Sequence, residues 1–281
     1  MGPVLHSRPF AVPDTDGLLA LLRREHRPLG QPEVTGAMLA ACLRGRSPID
    51  DAWWADLHTY QVSVLTGRDG GLVGAVATGI AATDGAGYVL WLAGGQDTAV
   101  QTRLLDDALA RLAGTSVQRA FWFATALGAG LEGLPAARAG TLHAALVQRG
   151  FAGRDAWLYL HRDLGDIPPR PAAGVVAGAG GSVTIRLPGV SAAAVVTGAL
   201  LSPRLAIISW LGVIPPRRGR GVGRQLLDEM LSHLRHLGAA GAILYVDHDA
   251  PGGDRDRSAA TALYLSAGFA LVDHLWSYER S

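Results

Sequence analysis

The sequence contains an internal repeat with an offset of about 119 residues. Trp91-Leu92 recurs as Trp210-Leu211, and Gly150-Phe151 recurs as Gly268-Phe269. In both halves a leucine pair in a helical pattern is followed by an apolar strand and then by an aromatic strand. Self-similarity at a fixed offset constrains the fold strongly, because it predicts two copies of one folding unit.

The repeat divides the chain into two predicted domains. We assign residues 1–164 to the first domain, 165–181 to a linker and 182–281 to the second domain. The linker is rich in proline, alanine and glycine, a composition typical of short, semi-stiff connections. The first domain begins with two helical patterns, at 16–25 and 34–43.

The second half contains a strand–loop–helix corner suited to binding a phosphate. A strand-like run from Ile207 to Val213 leads into a loop in which Gly219, Gly221 and Gly223 alternate with arginines, and an amphipathic helix follows. Glycines permit positive φ angles and a close backbone approach to a ligand. The first amides of a helix and its dipole attract an anion, so the pattern predicts a phosphate-binding corner.

Two common nucleotide motifs do not match this loop. A Walker A loop requires lysine, which the chain lacks, and the dinucleotide pattern G-x-G-x-x-G would need a third glycine that is absent. The loop instead matches R/Q-x-x-G-x-G/A through Arg218, Gly221 and Gly223, and further on Leu263-Tyr264 is followed by Gly268-Phe269. Both signatures resemble those of the GNAT acyltransferase superfamily, in which the first is the coenzyme A pyrophosphate loop.

This resemblance covers roughly residues 183–281 and implies an α/β fold with a mixed sheet. Together with the repeat, it implies tandem GNAT acyltransferase folds. The second fold would lack the first two helices of the family, because strand patterns at 182–187 and 192–200 lead directly to Ile207. A tandem arrangement with a degenerate first copy is similar to that of mycothiol synthase-type proteins.

The resemblance also implies where coenzyme A would bind. The family holds it between two strands, which here end at Val213 and Asp247, and one strand amide serves as the oxyanion donor. The predicted coenzyme-binding residues are Leu211, Gly212, Val213, Arg218, Gly219, Arg220, Gly221, Val222, Gly223 and Arg224. For the side chains of Arg217, Arg220 and Arg224, simple solvation is an equally good interpretation.

Tyr264 occupies the position of the family's general acid, which would protonate the leaving thiolate. Packing as an ordinary core tyrosine is the alternative. The general base is left open, because the strand 207–213 carries no carboxylate; Asp247 and His248 are the preferred candidates. Further options are a water relay and three residues of the first half, His58, Glu132 and Asp155.

The first half differs where this chemistry would occur. Residues 94–98 include Asp97, which would repel a pyrophosphate, and residues 141–146 contain no tyrosine. We therefore expect the first copy not to bind coenzyme A, and we expect the acceptor pocket near the seam between the halves. The charged insertion at 250–257 is either a lid over the acceptor or a surface loop.

Composition excludes several classes of protein. A net charge of +1 argues against a large RNA footprint, and the absence of lysine excludes Schiff-base enzymes. The single cysteine, Cys42, rules out an intramolecular disulfide and a cysteine zinc site, so we expect no metal and interpret His233 and His236 as surface histidines. No apolar run is long enough for a membrane span and no secretory signal is visible, which predicts a cytoplasmic protein without membrane contact.

The preferred function is transfer of an acyl group, most simply from acetyl-CoA, to the amine of a small molecule by direct attack on the thioester. Two alternatives remain. The donor could be an aminoacyl-tRNA on the same fold, or the protein could bind coenzyme A without catalysis. The internal duplication is compatible with a monomer as well as with a homodimer.

Overall fold

The computed structural model of the 281-residue chain describes residues 5–47, 51–128, 131–178, 182–187, 194–249, 251–252 and 256–281. The helices are α1 (Thr15–Arg24), α2 (Gly36–Leu43), α3 (Asp51–Ala55), α4 (Thr98–Arg111), α5 (Ala136–Gln148), α6 (Val222–His236) and α7 (Ser258–Ser266). The strands are β1 (His6–Pro9), β2 (Gln61–Thr66), β3 (Leu72–Ile80), β4 (Gly87–Ala93), β5 (Gln118–Ala120), β6 (Leu134–Pro135), β7 (Ala152–Asp163), β8 (Val175–Ala177), β9 (Ser182–Ile185), β10 (Ala194–Ser202), β11 (Leu205–Val213), β12 (Gly241–Asp247) and β13 (Ala270–Arg280).

The chain forms two compact units whose limits differ from those of the sequence repeats. Unit 1 comprises Met1–Pro28, Glu33–Ala156 and His274–Ser281, and unit 2 comprises Leu29–Pro32 and Trp157–Asp273. Each unit therefore contains chain from both halves of the sequence. The limits 1–164 and 182–281 are those of the sequence repeats, and they do not coincide with the limits of the two compact units.

Unit 1 is built on a sheet with strand order β1-β2-β3-β4-β5-β13, all antiparallel except the parallel pair β4 and β5. Neighbouring residues along a strand point to opposite faces of the sheet. Val64 belongs to a core cluster that includes residues of α1 and α2, whereas Leu65 belongs to one that includes α4 and α5. Helices thus cover both faces of this sheet.

Unit 2 contains the strands in the order β7-β12-β11-β10-β9-β8, with α6 and α7 packed on one face. Between β9 and α6 the described residues include no α-helix, in agreement with the prediction that the second fold lacks the first two helices. Part of the predicted linker belongs to this unit: Val175–Ala177 forms β8 against β9, and Ile167 and Ala172 pack on the core.

The two repeats exchange their last strands. Strand β13 comes from the second repeat, yet Tyr278–Arg280 pairs with β5 of the first repeat in unit 1. Strand β7 comes from the first repeat, yet residues 157–163 pair with the full length of β12 in unit 2. Each unit is therefore completed by a strand from the other repeat.

Most predicted elements lie within two or three residues of their observed limits, but one strand is much shorter than predicted. The apolar strand that follows the leucine-pair helix of the first half is expected at 120–125, but β5 ends at Ala120. Phe121 has a φ of 58°, a left-handed conformation that a strand does not allow. The residues after it turn away from the sheet and form a short 3-10 turn at Ala126–Gly128. No helix in the described ranges combines the length and apolar character needed to cross a bilayer.

Candidate functional site

Strands β11 and β12 pair for only three residues in the described part of unit 2. Leu205–Ile207 lies parallel to Gly241–Ile243, and no pair follows. Their outer edges remain paired much further, β11 with β10 as far as Val213 and β12 with β7 as far as Asp247. The two strands therefore diverge toward their carboxyl ends, and the backbone groups of their inner edges face a gap.

The loop that follows β11 presents backbone amides at the mouth of this gap. Gly219 and Gly221 have φ angles of 71° and 77°, a conformation that glycine adopts without strain. A Cβ added at either position would meet no described atom within 4 Å, so this side of the loop is open. Helix α6 begins after Gly221, and no side chain caps its first amides. An uncapped helix start with its positive dipole end is an anion-binding arrangement.

The arginines of the loop differ in their contacts. The Nε of Arg218 donates to the Val213 carbonyl at 2.9 Å, which ties the loop to the end of β11. Arg224 forms an ion pair with Asp228 at 2.9 Å and also donates to the Ser266 carbonyl. Arg217 and Arg220 are exposed. Within the described residues, neither side chain has a hydrogen bond or ion pair.

Gly223 has a different role from the two glycines before it. It lies in helix α6, and a Cβ there would come within 3.4 to 3.7 Å of the side chains of Leu263, Leu211 and Val213. The missing side chain lets the helix start pack closely on β11 and α7. The side chains of Leu211, Val213 and Val222 pack against the same core. These residues therefore face the gap with their backbone groups only.

Tyr264 lies on α7 with its ring buried against Phe269, at a centroid distance of 6.0 Å in an edge-on arrangement. Burial raises the pKa of its phenol to about 12. The hydroxyl therefore stays protonated throughout the physiological range, as a proton donor must. The ring also contributes to the core, so the acid interpretation and the core interpretation describe the same side chain.

The candidate bases lie at the end of β12. The Asp247 carboxylate is 3.5 Å from the guanidinium of Arg257, which links the insertion to the strand end. His248 follows Asp247 directly and begins the loop. Residues 250 and 253–255 of the insertion lie outside the described residues.

Two of the remaining base candidates, Asp155 and His58, have described contacts, and the structure also locates His233. In unit 1 the Oδ2 atom of Asp155 lies 2.7 Å from Nδ1 of His274. The two residues are 119 positions apart, and no sequence motif indicated this pair. His58 donates its backbone amide to the Ile80 carbonyl beside β3. The interpretation of His233 as a surface histidine was wrong: it is buried, and its Nδ1 accepts from the Ala172 amide. Burial lowers the pKa of this imidazole.

The corresponding corner of unit 1 is closed by carboxylates of the chain itself. Glu25 Oε1 accepts from the amides of Gly94 and Gly95 at 2.9 and 2.8 Å. Asp97 caps helix α4 by accepting from the amides of Ala99 and Val100. These carboxylates occupy the amides that an anion would need. The sequence indicated the aspartate but not Glu25, which approaches from 69 residues away.

A short segment between α1 and α2 belongs to unit 2. The hydroxyl of Tyr159 on β7 donates to the Leu29 carbonyl at 2.9 Å and lies 3.3 Å from the side-chain nitrogen of Gln31. A Cβ at Gly30 would overlap the His161 ring. The segment 29–32 therefore lies on the sheet face that carries Tyr159 and His161, and sequence reasoning did not identify these residues.

A cleft of about 320 Å³ begins beside the loop, at Gly221 and Arg224. It continues along the solvent side of α6 past Gln225 and Asp228 to Ser232, with Arg170 of the former linker on its far wall. The cleft thus adjoins the uncapped end of the helix and combines cationic and anionic groups.

Part of the chain is similar to a known protein family. Residues 156–269 match the sequence profile of the Acetyltransferase (GNAT) family. A mycothiol acetyltransferase of Geodermatophilus obscurus is 40% identical over 72 residues, which are 25% of this chain and 21% of that protein. A mycothiol acetyltransferase of Kocuria rhizophila is 41% identical over 68 residues, 24% of this chain and 20% of the relative. The match spans about a fifth of the length of these curated relatives.

Solved structures extend the likeness to the whole chain at the level of the fold. A tandem GNAT protein from the clavulanic acid biosynthesis pathway, solved without AcCoA, covers 99% of this chain and 98% of its own, with a TM-score of 0.66 and 17% identity. A GCN5-related N-acetyltransferase from Sphaerobacter thermophilus covers 98% and 95%, with a TM-score of 0.61 and 13% identity. At these identities the likeness concerns the fold alone.

Proposed function

Because residues 156–269 belong to the GNAT acetyltransferase family and the whole chain takes the tandem GNAT fold, we propose that it is an acyl-CoA-dependent N-acetyltransferase acting on a small amine. The observation that carries the proposal is the uncapped start of α6 beside the diverging strands β11 and β12. This corner offers what a thioester with a diphosphate arm requires, namely free amides, positive charge and an unpaired strand edge.

The donor would be held mainly by backbone groups. The amides of Gly219, Gly221 and the first turn of α6 would bind the pyrophosphate, and Arg217 and Arg220 would add charge-assisted hydrogen bonds. The inner edge of β11 from Leu211 to Val213 would hold the pantetheine arm as an added strand. The cleft along α6 provides room for the nucleotide end. Acetyl-CoA fits this set of groups, and no metal is needed.

The reaction would be a direct transfer. The acceptor amine attacks the thioester carbonyl, a carbon–nitrogen bond forms and the carbon–sulfur bond breaks. Coenzyme A leaves as a thiol after taking the phenolic proton of Tyr264, and the ammonium proton passes to a base. Asp247 and His248, at the end of the neighbouring strand, are the preferred bases. An amide of β11 would stabilise the charge on the carbonyl oxygen.

Similarity to mycothiol acetyltransferases supports a small-molecule acceptor, which is a primary amine in our proposal. A tRNA-linked donor is the second candidate, because the arginines at 217–224 could contact a phosphate backbone. It is the weaker one, since the chain carries a net charge of only +1.

The decisive experiment is calorimetric titration with acetyl-CoA and coenzyme A, followed by an amine screen that detects released thiol. We expect binding and amine-dependent thiol release. In the double variant Arg217→Gln/Arg220→Gln the dissociation constant for acetyl-CoA should rise about tenfold, as expected for the loss of charge-assisted contacts. Neither side chain has a partner in the described structure, so the fold should be unaffected.

Arg204→Gln is the matched control. This arginine is also exposed, but it precedes β11 and so lies at the opposite end of the strand from the loop. Its removal should leave acetyl-CoA binding unchanged. A protein that binds neither acetyl-CoA nor coenzyme A, or a double variant that binds as tightly as the wild type, would refute the proposed donor site. Binding without thiol release from any amine would favour the noncatalytic alternative.

A further inference from the structure

Trp210 is an exposed tryptophan on the strand that borders the gap. Its side chain is 62% exposed. The pairing of β10 with β11 passes from Thr197–Trp210 to Gly198–Ile208 and skips Ser209, which forms a bulge. A Cβ on Gly212 would lie 2.8 Å from the indole nitrogen of Trp210. The ring therefore lies along the strand next to Gly212 and is open to solvent.

The equivalent tryptophan of the first repeat is buried. Trp91 is 6% exposed and shares a core cluster with Leu18 and Leu22 of α1 and with Leu39 of α2. Its strand has the same irregularity, because the pairing of β3 with β4 skips Leu90 just before it. The two strands are thus alike, and the difference in exposure follows from the helices, which are absent from the described part of the second repeat.

Trp210 and the segment 29–32 belong to the same face of the unit 2 sheet. Leu211 and Val213 pack toward α6, so Trp210 and Gly212 point to the other face. Tyr159 and His161 pair with Tyr245 and Ile243 and share that face too. The segment 29–32 lies over β7, whereas Trp210 on β11 stays uncovered beside the end of the gap.

Resting on the proposed function, we infer that Trp210 determines acceptor specificity, with its indole face as the platform for the ring of a ring-bearing primary amine. An exposed indole beside a strand offers a large contact area, and a tryptophan side chain has few rotatable bonds, so the entropic cost of binding is small. Its place next to the open edge of β11 puts a bound ring within reach of a thioester lying along that edge. A linear amine would not use this surface.

The test compares binding and turnover of three amines, 2-phenylethylamine, glucosamine and the linear 3-methoxypropylamine, in the wild type, Trp210→Ala and Trp210→Phe. Dissociation constants come from NMR titration in the presence of coenzyme A, so they do not depend on turnover. Trp210→Ala should weaken binding of the preferred ring amine about threefold to tenfold and lower its kcat/KM to match. Trp210→Ala should leave the dissociation constant and kcat/KM of the linear amine unchanged. Trp210→Phe should restore most of the affinity for the ring amine.

Leu237→Ala, another exposed apolar residue but at the far end of α6, serves as the control and should change nothing. A preference for 2-phenylethylamine would indicate an aromatic acceptor and a preference for glucosamine a carbohydrate; either supports the inference. Equal affinity of the wild type for ring and linear amines, or an equal loss for all three in Trp210→Ala, would overturn it. Ring-amine binding that depends on Trp210 without acetyl-CoA binding would refute the proposed function and the acceptor role, and would leave Trp210 as a ring-binding surface only.

Discussion

At the start of helix α4, two carboxylates of the chain accept the amide hydrogens of the loop and of the first helical turn. At the start of helix α6, the corresponding helix end follows Gly221 and has no side-chain cap. Both corners descend from one repeat, and both join a strand that pairs with its parallel neighbour for three residues. In the first repeat the chain's own carboxylates satisfy amides of the loop and of the helix start, whereas in the second repeat no side chain caps the helix start.

The gap next to each corner differs as well. In unit 1 the chain leaves β5 at Ala120, and Phe123 and Leu127 join the core cluster that contains Leu90 and Trp91 of β4. In unit 2 β12 continues to Asp247. The space beside β4 is thus packed by the chain, whereas beside β11 the strand edge remains unpaired. Charge and packing both underlie our expectation that the first corner does not bind a coenzyme.

The largest expected effect tests whether the second repeat can stand alone. Residues 165–281 expressed without the first repeat lose β7, which pairs along the whole of β12 and supplies Leu160 to the core. We expect this fragment to show no cooperative unfolding transition by circular dichroism and to aggregate, since its edge and apolar surface are exposed. Co-expression with residues 1–164 should restore a folded complex. A folded 165–281 fragment that binds acetyl-CoA would contradict the exchange of strands.

The second repeat has a tyrosine, Tyr264, where the first repeat has an aliphatic residue. Tyr264 aligns with Leu146 of the first repeat at the offset of the Gly-Phe pair. Tyr264→Phe should lower kcat about 100-fold, the usual contribution of a general acid, while the acetyl-CoA dissociation constant stays the same. Tyr88→Phe, which removes another buried hydroxyl, should leave kcat unchanged.

The same residue predicts a pH dependence. Its pKa of about 12 lies above the ordinary phenol value of about 10, so the donor remains protonated as the pH rises through 10. Initial-rate measurements should therefore show no loss of kcat from this group between pH 8 and about 10. A titration in that range that disappears in Tyr264→Phe would mean that the phenol ionises there and is not the protected donor described above.

A third variant introduces at the start of α6 the negative charge that Asp97 provides at the start of α4. Gly221→Asp places a carboxylate at the start of α6, as Asp97 does at the start of α4, and Gly221→Asn gives nearly the same shape without charge. Both residues tolerate the left-handed conformation of this position better than other side chains. We expect the acetyl-CoA dissociation constant to rise about tenfold or more in Gly221→Asp and only about threefold in Gly221→Asn, by calorimetry. Equal effects would show that charge does not distinguish the corners.

The smallest effect is expected from opening the first corner. Asp97→Ala removes the cap of α4 and should lower the free energy of unfolding by about 1 kcal/mol in urea titrations. It should create no acetyl-CoA binding in unit 1, because the space beside β4 is still packed. Asp16 lies in the first turn of α1 but does not cap it, so Asp16→Ala should lower the free energy of unfolding by a smaller amount. A second equivalent of bound acetyl-CoA in Asp97→Ala would show that the cap alone closes this corner.

Much of the fold could be predicted from local patterns. Helices α1, α2 and α6 were predictable because their buried residues recur at helical spacing, and strands β11 and β12 because each is a short apolar run. Gly219 and Gly221 of the loop occur where the backbone adopts positive φ. The strand expected at 120–125 failed because the pattern of apolar residues does not reveal a left-handed residue such as Phe121. The burial of His233 was missed because its partner, Ala172, offers only a backbone amide.

Residue types at short spacing indicate two copies of one unit, with a glycine-bearing helix start in the second copy and an aspartate at the corresponding place in the first. The folded molecule was needed to show which strand completes which sheet, that Glu25 reaches Gly94 and Gly95, and that the segment 29–32 lies on β7. These contacts are made largely by backbone amides and carbonyls, which nearly every residue has. A pattern of side chains therefore does not predict which of these groups will pair.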